Sequence, residues 1–313
     1  MKKIIVNLLY ILLVCIICTE VLLNSKVVIE SVKFSFSIWQ NNIFPSLFPF
    51  FIIGNILISL GLPQIVGEIL KNITYKLFKI NKNGSFIIIL SMLSGFPSSA
   101  KYIKEMHVNG DLNEKEATKL LTFTHFSNPL FILGTVSLFI KDYKMCVPIL
   151  ICHYIGNLFV GLIFRNYYVS KYEKSNIKNS IKSIKNNKSF GEILSNSISS
   201  GINTLLLILG SISVFLILTS LINNIFNLNG INKVIINGFF EMTQGLKYLE
   251  TINLSVNLKG LLTVMILSFG GLSVHMQVIT IISDTKIKYF PYFIGRILHT
   301  FFSVLIFFLW KVL

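Results

Sequence analysis

The chain has 313 residues, 53% of them hydrophobic and 13% charged, with a formal net charge of +15 and a mean hydropathy of +0.72. A soluble domain carries about 25% charged residues, so this composition excludes an ordinary soluble enzyme or binding domain. Apolar runs of bilayer-spanning length recur along the chain. The sequence therefore predicts an all-α polytopic membrane protein.

The positive charge does not indicate a nucleic-acid partner, because the lysines lie mostly in short loops between apolar runs, where membrane topology explains them. The four cysteines lie in apolar surroundings and the five histidines are scattered, so no disulfide, metal site or cofactor is predicted. No Walker A sequence, HExxH motif or nucleophile elbow occurs, so neither an ATP-driven motor nor a catalytic residue is predicted.

The first apolar run, residues 4–23, follows Lys2 and Lys3 and is predicted to be a retained helix whose amino terminus is cytoplasmic. A cleavable signal peptide is the alternative, but no small-x-small cleavage site follows the run. About seven spans are predicted in all. They cover residues 4–23, 43–60, 120–140, 145–164, 197–222, 258–283 and 290–310.

Two further apolar pieces, residues 84–96 and 234–245, are too short or too interrupted to span, and both end in polar turns. We interpret them as re-entrant or broken helical hairpins. The loops that follow the second and fourth predicted spans are strongly basic, which predicts that both are cytoplasmic. Their basic residues are Lys71, Lys76, Lys79, Lys82, Arg165, Lys171, Lys174, Lys178, Lys182, Lys185 and Lys188, against the single acid Glu173 in the loop at 165–188.

The order span, broken hairpin, span, span occurs twice, and the lysine-based topology inverts the second copy relative to the first. The segment LSGFPSSAKYI corresponds to FEMTQGLKYL, and FTHFSNPLFILGTV to LSFGGLSVHMQVIT. We predict an amino-terminal helix and connector (1–42), a first gate-like repeat (43–164), a basic cytoplasmic linker (165–192) and a second, inverted repeat (193–313). Inverted repeats with discontinuous helices are typical of secondary transporters, which hold their substrate near the bilayer midplane.

Polar breaks at membrane depth are tolerated only where protein or a water-filled cavity satisfies the backbone. Half-helices that start at such breaks point their free N–H groups at the cavity and so favour an anion. Glu241 is predicted to carry a coupling proton or to bind a cation, and Lys101 to supply positive charge at the cytoplasmic mouth. The predicted binding residues are Ser94, Gly95, Ser98, Ser99, Lys101, Ser127, Asn128, Glu241, Thr243, Gly271, Ser273 and Gln277. The alternative is that these glycines, prolines and small residues serve helix packing alone.

Several of these motifs resemble the YlbJ/SpoVV family of sporulation integral membrane proteins. They are SGFPSSAK, LLTFTHFSNPLFILGTV, HYIGNLFVGLIFR, EMTQG and GGLSVHMQ, in that order, although Ser99 and Phe96 replace the glycine and tyrosine usual in the family. The resemblance implies a relation to the gate domains of concentrative nucleoside transporters and a location in the outer forespore membrane of a spore-forming Firmicute. It further implies transport of dipicolinate, a planar dianion.

The expected partners are therefore a small organic anion, a coupling proton or cation, and the lipid bilayer, and a homo-oligomer stays open. Two other functions also stay open at this point. One is nucleoside transport on the same fold, and the other is a structural or assembly role in the forespore membrane.

Overall fold

The computed structural model describes residues 2–172 and 189–312, which form helices and loops without a β-strand. Residues 173–188 of the predicted basic linker lie outside the described residues, including Glu173 and the lysines from Lys174 to Lys188. In chain order the α-helices are α1 (Lys2–Leu23), α2 (Ser25–Ile38), α3 (Phe44–Ser59), α4 (Leu62–Phe78), α5 (Lys82–Ser94), α6 (Ser98–Val108), α7 (Glu114–Phe123), α8 (Ser137–Ile140), α9 (Tyr143–Ile163), α10 (Phe190–Phe226), α11 (Gly230–Phe240), α12 (Met242–Thr251), α13 (Val256–Phe269), α14 (Gly271–Ile282) and α15 (Tyr289–Val312).

Within the described residues, six helical segments are long enough and apolar enough to cross a membrane. This confirms the prediction of an all-α polytopic membrane protein. The six segments are Val6–Leu23, Ser25–Ser59, Tyr143–Asn166, Phe190–Phe226, Val256–Ile282 and Tyr289–Lys311.

Two predicted spans differ from the structure. The second begins at Ser25 rather than residue 43, because a π-helical turn at Trp39–Ile43 joins α2 to α3 and makes the predicted connector helical. The predicted span at 120–140 is not one helix. α7 ends at Phe123, residues 124–128 are irregular, and the helix resumes at Pro129, since proline removes a backbone donor and is best placed in the first turn of a helix.

α4 lies in a stretch that was predicted to be a loop. Gly61, with a φ of 80°, and Pro63 in the first turn start this helix, and it ends at Phe78 before the left-handed residue Lys79. Phe78 stacks on Phe123 at a ring-centroid distance of 5.0 Å, so the end of α4 is anchored against α7.

Two long helical segments, Ser25–Ser59 and α10, form the scaffold. Small hydroxyl residues let their backbones approach, as is common between membrane helices. The hydroxyl oxygens of Ser35 and Ser213 lie 2.7 Å apart, and the Trp39 indole N–H donates to the carbonyl oxygen of Leu205 at 2.8 Å.

Loops and helix termini gather at two ends of the molecule. At the first end, the amide of Asn81 donates to the carbonyl oxygen of Asp111 at 3.3 Å, and Lys104 forms an ion pair with Asp284 at 2.7 Å. The hydrogen bond from Lys104 holds the pKa of the exposed Asp284 carboxyl below its usual value. At the second end, Lys141 pairs with Glu250 at 3.3 Å.

The two broken hairpins start from opposite ends. α5 leaves the first end and α6 returns to it, as the Asn81–Asp111 bond shows. α11 and α12 leave and return at the second end, and their legs pack so closely that a β-carbon on Gly245 would lie 2.4 Å from the Cα of Gly238. Both halves thus contain a span, a broken hairpin, an interrupted span and a further span, with opposite directions. The domain boundaries stay a prediction.

Candidate functional site at the tips of the two hairpins

The tip of the first hairpin rests on the break in the following span. Gly95 has a φ of 76°, and a β-carbon there would lie 2.6 Å from the backbone nitrogen of Asn128. The Asn128 amide donates to the carbonyl oxygen of Leu93 at 3.0 Å, and its side-chain oxygen accepts from the backbone N–H of Leu130 at 2.7 Å. One side chain therefore fixes the hairpin tip and also caps the helix that resumes after the break.

The tip of the second hairpin is built around Glu241, which is 1% exposed. Its backbone is extended between α11 and α12, and its carboxylate caps α12 by accepting from the backbone N–H of Gln244 at 2.9 Å. The hydroxyl of Thr243 donates to the same oxygen, and that of Ser273 donates to the other at 3.4 Å. A carboxylate at a helix amino terminus is stabilised by the dipole, so Glu241 is compatible with its depth.

The second tip also rests on a break, the one at Gly270 and Gly271 between α13 and α14. Both glycines have positive φ, and a β-carbon on Gly271 would lie 3.0 Å from the backbone nitrogen of Met242. Each hairpin tip therefore packs against the break in the next span of its own half.

A buried cavity of about 40 Å³ lies between the two tips. Its polar lining comes from both halves, and its apolar lining comes from the two tips, the two breaks, α3 and α10. The polar residues are Ser46, Ser127, Asn128, Glu241 and Gln277, and Phe96, Pro97 and Met242 place the two tips on its wall. The cavity has room for water-sized molecules.

The chain is 31% identical to the sporulation integral membrane protein YlbJ of Bacillus subtilis (strain 168), over 90% of this chain and 77% of that protein. It belongs to the YlbJ family. The comparison confirms the family indicated by the SGFPSSAK, EMTQG and GGLSVHMQ motifs, and it does not address the relation to nucleoside transporters. No family model and no solved structure match the chain.

Of the binding residues predicted for this YlbJ-family chain, Ser127, Asn128, Glu241 and Gln277 line the cavity. The others lie behind its wall or further along the helices. Thr243 and Ser273 hydrogen-bond to Glu241, as described above, and Ser94 bonds to the hydroxyl of Ser98 at 2.7 Å within the first tip.

Three other predicted residues have different surroundings. Gly95 and Gly271 form the contacts between tips and breaks rather than the cavity wall. Lys101 lies in a separate groove at the first end, one helical turn beyond the tip.

Two hydroxyls near the first tip have no protein partner among the described residues. The Ser99 side chain is fully buried and that of Ser127 is 1% exposed, yet neither Oγ has a hydrogen bond. Buried hydroxyls usually find a partner. Ser127 lines the cavity, so its hydroxyl is free to bind a molecule that enters it.

Arg296, a fully buried guanidinium in α15, was not among the predicted site residues. It donates to the carbonyl oxygens of Thr122 at 2.7 Å and His125 at 3.2 Å, and to the side-chain oxygen of Asn157 at 2.8 Å. The last carbonyls of a helix lack backbone donors and carry partial negative charge. Arg296 supplies those donors where α7 ends. An arginine inside a predicted span is itself a sign of a functional or structural role, and this signal could have identified Arg296 from the sequence.

The same network fixes two histidines as neutral. His153 Nε2 accepts from the backbone N–H of Ser127 at 2.8 Å, and its Nδ1 faces the Ser268 hydroxyl at 3.2 Å. His299 Nε2 donates to the carbonyl oxygen of His153 at 2.7 Å, while its Nδ1 accepts from Arg296 at 2.8 Å. An unbroken chain of hydrogen bonds therefore connects Arg296 to the backbone of the first break.

Proposed function

We propose that this chain is a secondary transporter that carries a small organic anion across a membrane of the sporulating cell. One observation carries the proposal: two broken hairpins enter from opposite ends, and their tips meet at one buried cavity that takes polar side chains from both halves. In transporters built from inverted repeats, substrate sites lie at such meeting points of discontinuous helices. The Bacillus subtilis relative is a sporulation integral membrane protein by name, which supports the sporulation setting.

We propose dipicolinate as the substrate, which the family resemblance implies. Among the described residues, Glu241 is the only ionisable one in the cavity lining. Two negative charges close together in a low-dielectric site repel each other strongly. A dianion therefore enters when Glu241 is protonated, which makes a proton the coupling ion of this proposal.

A cavity of about 40 Å³ is too small for an aromatic dicarboxylate. Transport therefore requires the tips to move apart, and the arrangement described here is a closed one. Such a movement separates two contacts, that of Gly95 with Asn128 and that of Gly271 with Met242.

We place the protein in the outer forespore membrane, with the first end of the molecule on the cytoplasmic side. The basic residues Lys76, Lys79, Lys119 and Arg165 at the first end support this orientation by the positive-inside rule.

The test is uptake of radiolabelled dipicolinate into proteoliposomes, with labelled uridine in parallel and an imposed pH gradient. We expect saturable dipicolinate uptake that depends on the gradient and is lost in Asn128→Ala, whereas uridine is not taken up. Uridine uptake without dipicolinate uptake would establish the nucleoside alternative.

A structural or assembly role in the forespore membrane is the second candidate, and one observation favours it. The amide and the side-chain oxygen of Asn128 already have protein partners, and the cavity is small, as expected of a break that serves packing. On this reading, folded and correctly inserted protein transports neither compound. Asn128→Ala then affects only stability.

A further inference from the structure

Lys101 and Lys247 occupy equivalent positions in the two halves. Each precedes a tyrosine in the returning leg of its hairpin, in the segments SSAKYI and QGLKYL. Each ammonium lies over a phenylalanine ring of the Ser25–Ser59 segment, at 5.0 Å from the ring centroid of Phe51 for Lys101 and 3.5 Å from that of Phe34 for Lys247. The repeat therefore preserves a lysine and its place in the hairpin, and in both halves the lysine lies over a phenylalanine ring.

Lys101 lies at the inner end of a groove of about 560 Å³ at the first end of the molecule. Its side chain is 9% exposed, and its Nζ has no hydrogen-bond partner among the described residues. Lys104 and Glu105 also line the groove, and Lys104 is held by Asp284. The opposite wall is a row of amide and hydroxyl side chains on α10: Asn196, Ser199, Ser200, Asn203 and Thr204.

Lys247 lies in a groove of about 230 Å³ at the second end. Lys233 and Glu30 line the same groove, and Lys233 lies over the ring of Tyr248 at 4.2 Å from its centroid. Amide and hydroxyl groups again form the rest of the polar lining, from Ser31, Ser220, Asn223, Asn224 and Gln244. Each groove therefore holds two lysines, one glutamate and a neutral polar wall.

A buried ammonium without a hydrogen-bond partner, as at Lys101, is costly, and a carboxylate is the group that satisfies it best. Lys247 is only partly buried, and its case rests on its equivalent place in the second hairpin and in the second groove. No basic residue of the described part of the chain lines the central cavity, so the positive charge on the proposed path lies in the grooves. Along its helix, Lys101 is four residues from Pro97 in the cavity wall, about 6 Å at the usual rise, and Lys247 is five residues from Met242, about 7.5 Å.

We propose that the two grooves are paired outer binding sites for an organic carboxylate, one at each end, with Lys101 and Lys247 as the residues that bind it. Along their helices, Lys101 and Lys247 are thus about one to one and a half turns from residues of the central cavity. The assignment of the grooves to a transport path rests on the proposed function, whereas their affinity for carboxylates rests on the geometry alone.

Charge-selective modification of single cysteines tests the first groove without measuring transport. Cys15, Cys18, Cys146 and Cys152 are replaced, and one cysteine is introduced as Ser199→Cys in the groove, or as Ser195→Cys on the same helix outside the groove lining. Each is treated with an anionic and a cationic methanethiosulfonate. For each variant we compare the rate of modification by the anionic reagent with the rate by the cationic reagent. We expect this ratio to be about tenfold higher at Ser199→Cys than at the control, because a positive potential in the groove attracts the anionic reagent.

Lys101→Gln should abolish this difference and Lys101→Arg should retain it, so that loss of charge is separated from damage to the fold. Millimolar dipicolinate should slow the reaction at Ser199→Cys and leave Ser195→Cys unchanged. The second groove is tested in the same way with Asn224→Cys, the control Ile225→Cys and the variant Lys247→Gln.

Equal rate ratios at the groove and control cysteines, or a ratio unaffected by Lys101→Gln, would overturn the inference, as would the absence of protection by dipicolinate. If protection is found but proteoliposomes show no uptake, the grooves stand as carboxylate sites and the proposed transport function fails. The two failures are therefore distinguishable.

Discussion

A β-carbon on Gly95 would lie 2.6 Å from the backbone nitrogen of Asn128, so only glycine allows the first hairpin tip to sit on the break in the following span. The φ of 76° and ψ of 178° at Gly95 belong to a backbone region that is nearly restricted to glycine. We expect Gly95→Ala to lower the free energy of unfolding by about 2 kcal/mol or more. Thermal unfolding in detergent measures this effect.

The control for that variant is Gly134→Ala, because Gly134 lies in a helix and a β-carbon there would meet nothing within 4 Å. This substitution should leave the unfolding temperature unchanged or slightly raised. Equal behaviour of the two variants would show that the tip does not depend on this contact.

Glu241→Gln should uncouple uptake from the pH gradient. The amide keeps the size and one acceptor oxygen of the protonated acid but cannot exchange a proton. We therefore expect dipicolinate uptake by this variant to be insensitive to an imposed gradient, with exchange of internal for external dipicolinate retained. Uptake that still follows the gradient in Glu241→Gln would assign coupling to another group.

Glu250→Gln is the matched control, since Glu250 is on α12, the helix that Glu241 caps, but lies at the exposed second end, paired with Lys141. Surface ion pairs contribute about 0–1 kcal/mol, so this variant should transport normally with the same pH dependence. Proteoliposomes with clamped internal and external pH give both measurements.

Arg296→Gln should destabilise the protein, because it removes the donors of the carbonyl oxygens of Thr122 and His125. Leaving a buried acceptor without a partner costs about 1–3 kcal/mol, so we expect a loss of at least that size. Arg165→Gln is the control, since Arg165 also donates to a backbone carbonyl, that of Lys76, but at an exposed position. Comparable losses in both variants would contradict a special role for the buried network.

The orientation is tested with Asn109→Cys at the first end and Asn229→Cys at the second, both exposed positions in loops. An impermeant maleimide added to intact cells that carry the protein in their plasma membrane should label Asn229→Cys, whereas Asn109→Cys should react only after the membrane is opened. The reverse pattern would invert the proposed topology.

Much of the fold followed from the sequence because lipid imposes simple requirements on it. A span must be long and apolar, and polar breaks at depth must be sheltered. Residues 84–96 and 234–245 were recognised as hairpins on these grounds, and the lysine-rich loops predicted that the two hairpins enter from opposite directions. The start of the second span at Ser25 escaped prediction, since Lys26, Glu30 and Lys33 make the first part of that helix polar.

The site was only partly predictable. Ser127, Asn128, Glu241 and Gln277 line the cavity, whereas Thr243 and Ser273 bind to Glu241 instead. A polar residue near a break can be recognised from the sequence, but the sequence does not determine which side of the helix faces the cavity. That depends on the rotation of each half-helix against its neighbours.

The sequence by itself determined the membrane class, the two broken hairpins and their opposite directions, because hydrophobicity, glycine and proline positions and loop charge act locally. Only the tertiary structure decided that each tip rests on the next break, that Arg296 supplies the donors for the first break, and that Lys101 and Lys247 line matching grooves. These relations join residues far apart in the chain, and they depend on close packing between helices that no local pattern encodes.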